Sequence, residues 1–180
     1  TTVTVDMEGH TAVDDTLDLA RQVREDFPWL GVVLQAYLRR TEADAKDLAS
    51  AGSRVRLCKG AYDEPASVAY RNSADVDRAY ARALKVLIRG QGYPMIATHD
   101  PRLVEIAQAL IADAGRSTDS YEFQMLHGVR PKEQRRLAGG GETVRVYLPF
   151  GRQWYEYLMR RMAERPSNAA LFVRSMIRKG

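Results

Sequence analysis

The segment Met95–Leu126 reads MIATHDPRLVEIAQALIADAGRSTDSYEFQML, and its pattern decides the fold. A short apolar run, Met95–Thr98, opens the segment, and a second run, Glu122–Leu126, closes it. Both runs are typical of buried strands. Between them, Arg102–Ala114 carries apolar residues at helical spacing, and Gly115 follows as a connection from helix to strand often requires. The segment therefore predicts a strand, a helix and a strand in succession.

The same unit recurs along the chain. The predicted strands are Thr2–Asp6, Val32–Tyr37, Val55–Lys59, Met95–Thr98, Glu122–Leu126 and Thr143–Tyr147. The predicted helices are Val13–Asp26, Glu42–Ala51, Asp75–Arg89, Arg102–Ala114 and Pro131–Ala138. The third helix has its predicted N-cap region at Asp75 and ends at Gly90. Strict alternation of strands and helices indicates a parallel sheet.

Two folds contain such a sheet, the open doubly wound sheet and the closed barrel. The G-x-G-x-x-G fingerprint for dinucleotide phosphates follows none of the predicted strands, and Gly139–Gly141 precedes a strand instead of opening a helix. Polar or aromatic residues end nearly every predicted strand, which is where barrel enzymes gather functional side chains. We therefore expect an α/β fold, a (β/α)8 barrel of the TIM type.

The number of predicted strands falls short of a complete barrel. A barrel of this class has eight strands, and an open six-stranded sheet would expose two parallel edges. The chain also begins inside a predicted strand, Thr1–Asp6. We therefore expect residues 1–180 to be the C-terminal portion of one barrel domain that lacks its N-terminal strands.

Composition narrows the class of protein. Apolar residues make up 45% of the 180 positions and charged residues 28%, which suits one globular domain, and no apolar run reaches the ~20 residues that span a bilayer. Cys58 is the single cysteine, which fits a reducing, cytoplasmic compartment. Solvated helix faces explain the net charge of +4 more simply than nucleic acid or anionic lipid, so no nucleic-acid partner is expected.

A first candidate site lies near the C-terminus. One face of a helix there would hold four polar residues, Tyr157, Arg160, Arg161 and Glu164. One interpretation is an ordinary amphipathic helix with a solvated pair between Arg160 and Glu164. The other is a double-arginine clamp for a carboxylate, because the guanidinium fork matches two oxygens. The residues alone leave both interpretations open.

A second candidate is the segment RVRLCKGAYDEP at Arg54–Pro65. Lys59 ends a predicted strand, where a lysine can form a Schiff base, bind a phosphate or serve as a structural ion-pair partner. Gly60 lets a planar ligand approach the backbone closely. The three histidines, His10, His99 and His127, lack the spacing of zinc ligands, so no metal is expected.

Together these motifs resemble the flavin-dependent proline dehydrogenases, in the family's order and over almost the entire chain. The family ends with a strand bearing a tyrosine, a Pro-x-Gly turn and a helix of the form Tyr-x-x-Arg-Arg-x-x-Glu-Arg-Pro. The matching residues are Tyr147, Pro149, Gly151, Tyr157, Arg160, Arg161, Glu164, Arg165 and Pro166. Shorter matches are Asp6, Gln35, Arg56 with Lys59–Tyr62, Thr98–Asp100 and Glu122–Gly128.

The resemblance implies oxidation of L-proline to Δ1-pyrroline-5-carboxylate, with FAD as cofactor and hydride transfer to the flavin N5 atom. It also implies a membrane quinone as electron acceptor, and hence a peripheral encounter with a membrane. Arg160 and Arg161 would bind the proline carboxylate, and Glu164 would hold both arginines in place. No oligomeric state follows from the sequence.

The resemblance also assigns roles to the remaining candidates. The substrate pocket would include Asp6, Tyr62, Leu126, Tyr147 and Tyr157. The cofactor would contact Gln35, Arg56, Lys59, Gly60, Ala61, Arg71, Thr98, His99 and Gln124. Arg56, Tyr62 and Tyr147 would lie nearest to the reacting atoms. Arg56 would sit near the reactive edge of the flavin, and Tyr147 would pack on the pyrrolidine ring.

Two departures from the family pattern qualify these roles. Arg71 stands where bifunctional relatives often carry a lysine, which keeps the charge and changes the geometry. A substrate-binding lysine from an earlier barrel strand has no counterpart here, which fits truncation better than loss. Two alternatives remain: a pyridoxal-phosphate enzyme with Lys59 as Schiff base, and a catalytically incompetent fragment that retains the motifs.

Overall fold

A computed structural model describes residues 1–148, 150 and 151. The strands in this part of the chain are β1 (Thr4–Val5), β2 (Gly31–Gln35), β3 (Arg54–Cys58), β4 (Tyr93–Ala97), β5 (Glu122–Leu126) and β6 (Val144–Tyr147). The helices that alternate with them are α1 (Val13–Asp26), α2 (Thr41–Ser50), α3 (Ser73–Arg89), α4 (Pro101–Ala114) and α5 (Pro131–Gly139). A short 3₁₀ helix, His10–Ala12, leads into α1.

The six strands form one parallel sheet in which each strand pairs with the next one along the chain. A doubly wound sheet reverses its strand order near the middle, whereas a barrel adds strands in sequence order. The observed order is therefore that of a barrel, and the prediction of a parallel α/β sheet is confirmed. A closed eight-stranded barrel is not shown, because β1 and β6 form the two edges of the sheet within the described residues.

The sheet has an apolar outer face and a polar inner face, because successive side chains of a strand point to opposite sides. On β3, Val55 and Leu57 are buried in the hydrophobic core that also contains Tyr80 of α3. Arg54 and Arg56 alternate with them and are only partly buried. The helices thus cover one face, and polar groups line the other.

The predicted elements match the observed ones closely, with differences at the ends. The strand predicted over Val32–Tyr37 ends earlier, at Gln35, whose carbonyl accepts a hydrogen bond from Leu38 N–H at 3.1 Å in a turn. The N-cap predicted near Asp75 is Asn72, whose side chain accepts from Ala74 N–H at 2.8 Å. Asn is among the best N-cap residues, and it lies close before the apolar pattern begins.

The first strand is the least well predicted. The expected strand Thr2–Asp6 is reduced to the two residues of β1, which pair with Gly31 and Val32. Of the described helices, none is long and apolar enough to cross a membrane.

Candidate active site

Six of the candidate residues lie on or beside the inner face, in the strands or directly after them. They are Asp6, Gln35, Arg56, Gln124, Leu126 and Tyr147. In the sheet register Leu126 stands beside Tyr147, and Gln124 stands beside Arg145. This end of a parallel sheet is where barrel enzymes hold their active sites.

Arg56 is fixed from two sides. Its Nε donates to Gln124 Oε1 at 2.7 Å, and its Nη1 donates to Asp6 Oδ1 at 3.2 Å. The Arg56 side chain is 20% exposed, whereas Asp6 is 68% exposed. A permanently charged guanidinium thus lies in the middle of the inner face, between β1 and β5. Asp6 contacts Arg56 here, and its expected support of the clamp arginines stays a prediction.

Gln35 is buried at the carboxyl end of β2. Its Nε2 donates to the carbonyls of Met7 and Glu8, at 3.0 and 2.9 Å, which ties β2 to the loop after β1. Among the described residues its Oε1 has no hydrogen-bond partner although it is buried. An acceptor in that state costs free energy unless a donor reaches it.

Lys59 lies between two carboxylates. Its Nζ is 2.5 Å from Asp77 Oδ1 of α3 and 3.0 Å from Asp100 Oδ2, at the start of α4. Burial alone would raise the pKa of Asp100, but hydrogen bonds from Lys59 and Arg102 outweigh it and lower that pKa to about 2. The third interpretation of Lys59, a structural ion pair, is therefore present in the structure.

Gly60 allows the backbone to pass close to an aromatic ring. Its φ is +102°, in a region that favours glycine, and a Cβ there would lie 2.1 Å from Tyr37 Cδ1. Ala61, the next residue, is exposed. The predicted contact of Gly60 and Ala61 with a planar cofactor stays a prediction, and the geometry adds a separate reason for glycine at this position.

A set of contacts that sequence reasoning missed joins the loop after β1 to the loop after β3. The backbone N–H of His10 donates to Glu64 Oε1 at 2.8 Å, and its ring contacts the same carboxylate. The Tyr37 hydroxyl lies 3.4 Å from Glu64, and Tyr62 donates to Glu8. The two loops are thus held together beside the inner face, and no local pattern in the sequence predicts which side chains meet.

Thr98 and His99 stabilise the backbone around the ends of β4 and β5. Thr98 Oγ1 accepts from Asp100 N–H at 3.1 Å, and His99 Nε2 accepts from Leu126 N–H at 2.8 Å. Because a backbone N–H only donates, the Nε2 atom of His99 is unprotonated. Arg130 donates to the His99 carbonyl at 2.8 Å.

Arg71 is apart from this group. Its side chain is exposed and forms an ion pair with Asp63, which is also exposed, instead of with an inner-face residue. Its expected contact with cofactor phosphates stays a prediction. The clamp residues Tyr157, Arg160, Arg161 and Glu164 lie outside the described residues.

Glu122 and Arg145 form an ion pair with two hydrogen bonds on the inner face, and the sequence motifs assigned neither residue a role. Arg145 binds Glu122 through two hydrogen bonds of 2.7 Å. Glu122 is fully buried, and it also accepts from Gln124 Nε2 at 2.5 Å. The sequence signal for this ion pair was a pair of opposite charges at inward positions of two neighbouring predicted strands. Within the described part of the chain, no group of three or more potential ligands forms a metal site.

Comparison with known proteins identifies the family of this chain. A family model described as proline dehydrogenase matches residues 1–174. The chain belongs to the proline dehydrogenase family. It is 42% identical over 177 residues to proline dehydrogenase 2 of Bacillus subtilis, covering 98% of this chain and 58% of that protein. It is 43% identical over 178 residues to proline dehydrogenase of Deinococcus radiodurans, covering 98% of this chain and 57% of that protein.

Solved structures of proline utilization A share the fold. The protein from Bdellovibrio bacteriovorus, inactivated by N-propargylglycine, superposes with a TM-score of 0.83 at 28% identity, over 89% of this chain and 19% of that one. The Bradyrhizobium japonicum protein gives 0.76 at 27% identity, over 88% and 19%. The chain thus spans somewhat more than half the length of the curated proline dehydrogenases and about a fifth of these larger proteins.

Substitution of Gly60 tests the close contact between its backbone and the Tyr37 ring. We expect Gly60→Ala to lower the free energy of unfolding by about 1–3 kcal/mol more than Gly128→Ala, because the new methyl group meets the Tyr37 ring. Gly128 is the matched control, since its φ is +78° but nothing lies within 4 Å of its Cβ position. Urea denaturation measures both changes, and equal losses would contradict the contact.

Asp100 offers a test of the ion pair with Lys59. Asp100→Asn keeps an N-cap oxygen for Arg102 N–H but removes the charge, whereas Asp100→Ala removes both. Because the folded-state pKa is lowered, the charge stabilises the protein fully above the unfolded value of about 3.9 and less as pH falls toward 2.

The free energy of unfolding should therefore fall more steeply in the parent chain than in Asp100→Asn between pH 5 and pH 2.5. Other carboxylates titrate in both proteins and cancel in the comparison. Asp100→Ala should lose about 1 kcal/mol beyond Asp100→Asn at pH 7. Parallel pH curves for the parent chain and Asp100→Asn would rule out a stabilising pair.

Proposed function

We propose that this chain forms part of an FAD-dependent proline dehydrogenase, which oxidises L-proline to Δ1-pyrroline-5-carboxylate in proline catabolism. Family membership supports the reaction, and the observation that carries it to these residues is the fixed Arg56 guanidinium on the inner face. The proposal extends to residues 1–180 as one domain, a cytoplasmic location, and a quinone acceptor met at a membrane surface.

The described residues fit a flavin. Among the described residues no donor reaches the buried Oε1 of Gln35, and a flavin ring carries an N–H group that could supply one. The Tyr37 ring already fills the space beside Gly60 that a side chain would take, so the expected contact of Gly60 with the cofactor rests on the motif alone. When bound, the flavin would accept the hydride of the substrate, and the protein would supply orientation and charge.

The residues have distinct tasks in this proposal. Gln124 and Asp6 hold Arg56, so its positive charge is in place before negative charge develops beside it, which lowers the barrier. Gln35, Lys59–Ala61, Arg71, Thr98, His99 and Gln124 would hold the cofactor.

Tyr62, Leu126 and Tyr147 would line the substrate side. Tyr62 and Tyr147 are each 41% exposed, and Tyr147 stands beside Leu126, so their rings can cover a small substrate and exclude water. For Tyr157, Arg160, Arg161 and Glu164, support comes from the motif alone. The two arginines would fix the proline carboxylate and hold its ring over the flavin, which is the proximity contribution to the rate.

A Schiff-base role for Lys59 is less well supported. A Schiff-base lysine needs its amine free to attack a carbonyl, but Lys59 Nζ is held between the carboxylates of Asp77 and Asp100. The family match also disfavours a pyridoxal-phosphate enzyme.

The deciding experiment is to purify the 180-residue chain and record its absorbance with FAD and then with L-proline under anaerobic conditions. We expect a flavin spectrum that bleaches with L-proline and remains with D-proline. Loss of FAD on gel filtration from a folded chain, while a longer version binds FAD and is bleached, would favour the fragment alternative. An aldimine spectrum with pyridoxal phosphate would overturn the proposal.

The clamp makes a separate prediction. Arg160→Lys and Arg161→Lys should each raise KM for proline at least tenfold with FAD still bound, because lysine lacks the two-pronged geometry of arginine. Arg136→Lys is the control, since Arg136 pairs with Glu133 on the exposed side of α5. Steady-state kinetics measure the effect, and an unchanged KM in both clamp variants would end the assignment.

A further inference from the structure

We propose that Glu122, bound by Arg145, is a positioning residue that fixes the direction of the Gln124 amide and thereby the place of Arg56 at the flavin. The part that concerns the flavin rests on the proposed function. The family resemblance assigns no role to Glu122 or Arg145.

The carboxylate of Glu122 is crowded by donors. Arg145 donates from Nε to Oε1 and from Nη2 to Oε2, both at 2.7 Å, and Gln124 Nε2 donates to Oε1 at 2.5 Å. The Tyr93 hydroxyl lies 3.3 Å from Oε2. Burial opposes ionisation, but the hydrogen bonds from Arg145 and Gln124 outweigh it, so the pKa of Glu122 lies below its usual value. Glu122 is therefore an ionised group that only accepts.

An acceptor at one end and a donor at the other fix the amide between them. Gln124 has to turn its nitrogen toward the carboxylate of Glu122, which leaves its oxygen toward Arg56. Arg56 Nε donates to that oxygen at 2.7 Å, and arginine has no acceptor with which to satisfy a reversed amide. A rotation of the amide by half a turn would therefore set two oxygens against each other at Glu122 and two N–H groups against each other at Arg56.

The consequence reaches the centre of the candidate site. With Nε bound to Gln124 and Nη1 bound to Asp6, the plane of the Arg56 guanidinium is set from both sides. A continuous line of contacts then crosses the inner face from Arg145 on β6 through Glu122 and Gln124 to Arg56 on β3. The charge of Arg56 is permanent, so this line controls its position.

A purely structural ion pair is the competing explanation. Such a pair stabilises the sheet or merely offsets the cost of burying Glu122, and its loss need not move Arg56. The two explanations differ in what happens to the Arg56 Nε–H and to the flavin potential, which stability alone does not report.

The test compares Glu122→Gln with Glu142→Gln. Both changes remove a carboxylate that contacts a glutamine amide and a tyrosine hydroxyl, because Glu142 contacts Gln108 and Tyr121. Glu142 precedes β6 and touches neither Gln124 nor Arg56. The first readout needs no cofactor: hydrogen exchange of the Arg56 Nε–H in the ¹⁵N-labelled chain, assigned by its loss in Arg56→Lys. We expect exchange to rise about tenfold in Glu122→Gln alone, the scale of one charge-assisted hydrogen bond.

The second readout is the reduction potential of bound FAD. If Arg56 moves, reduced flavin loses about tenfold in relative affinity, which lowers a two-electron potential by about 30 mV. Loss of the Glu122 charge by itself would act in the opposite direction, because removing a negative charge favours the reduced, more negative flavin. A higher potential in Glu122→Gln would therefore overturn the proposal.

A double-mutant cycle with Gln124→Met tests whether Gln124 transmits the effect of Glu122 to Arg56. In that background Glu122→Gln should no longer lower the potential, because the amide that transmits its effect to Arg56 is gone; a further fall of about 30 mV would overturn the proposal. If Glu122→Gln does not fold, Arg145→Lys replaces it, since that side chain is 55% exposed and lysine keeps the charge but not the paired bonds. We expect Arg145→Lys to raise the exchange of the Arg56 Nε–H and to lower the flavin potential. If neither quantity changes, the proposal is overturned.

The two proposals fail separately. If the parent chain binds no FAD, the proposed function fails for this chain, and the exchange of the Arg56 Nε–H still decides the positioning role. If FAD binds and L-proline bleaches it, but Glu122→Gln and Glu142→Gln behave alike in exchange and potential, the proposed function stands and the positioning role is wrong.

Discussion

The alternation of side chains across parallel strands is the constraint on which the rest of this structure depends. Each strand has to satisfy the helices on one side, so residues such as Val55 and Phe123 are buried in the core. The intervening residues are then forced onto the other side, where Arg56 and Gln124 meet although 68 positions separate them in the chain. A single register shift would exchange the two faces, burying guanidinium groups under helices and exposing the core.

Glu122 and Lys59, two charged residues of the sheet region, each lie beside groups of opposite charge. Glu122 is fully buried, and Arg145, half-exposed, brings a counter-charge to it from the edge strand. Lys59 is satisfied differently, by carboxylates on α3 and at the start of α4, so it ties the sheet to its helical layer. The contacts of Glu122 therefore order side chains across the inner face. The ion pairs of Lys59 anchor the end of β3, directly before Gly60.

Much of this could be read from the sequence, and the limits have physical causes. The strand Glu122–Leu126 and the helix from Val13 to Asp26 were predicted with their observed bounds, because periodicity and flanking turn residues act locally. The expected roles of Arg56 and Gln124 at the cofactor came from the resemblance, and no local pattern indicated that these two side chains meet. What Lys59 binds depends on residues 18 and 41 positions away in the chain, so no local pattern distinguishes an ion pair from a reactive amine. Likewise, Arg145 and Glu122 are adjacent only through the register of β5 and β6.

The pairing of every strand with its immediate successor bears on how the protein is made. Among the described strands, each new strand finds its neighbour already present in the preceding part of the chain. Contacts that are close in sequence have a small loop-closure cost and form quickly. The described part of the sheet can therefore grow strand by strand from the ribosome, and its last strand, β6, brings Arg145 to the carboxylate that β5 already carries.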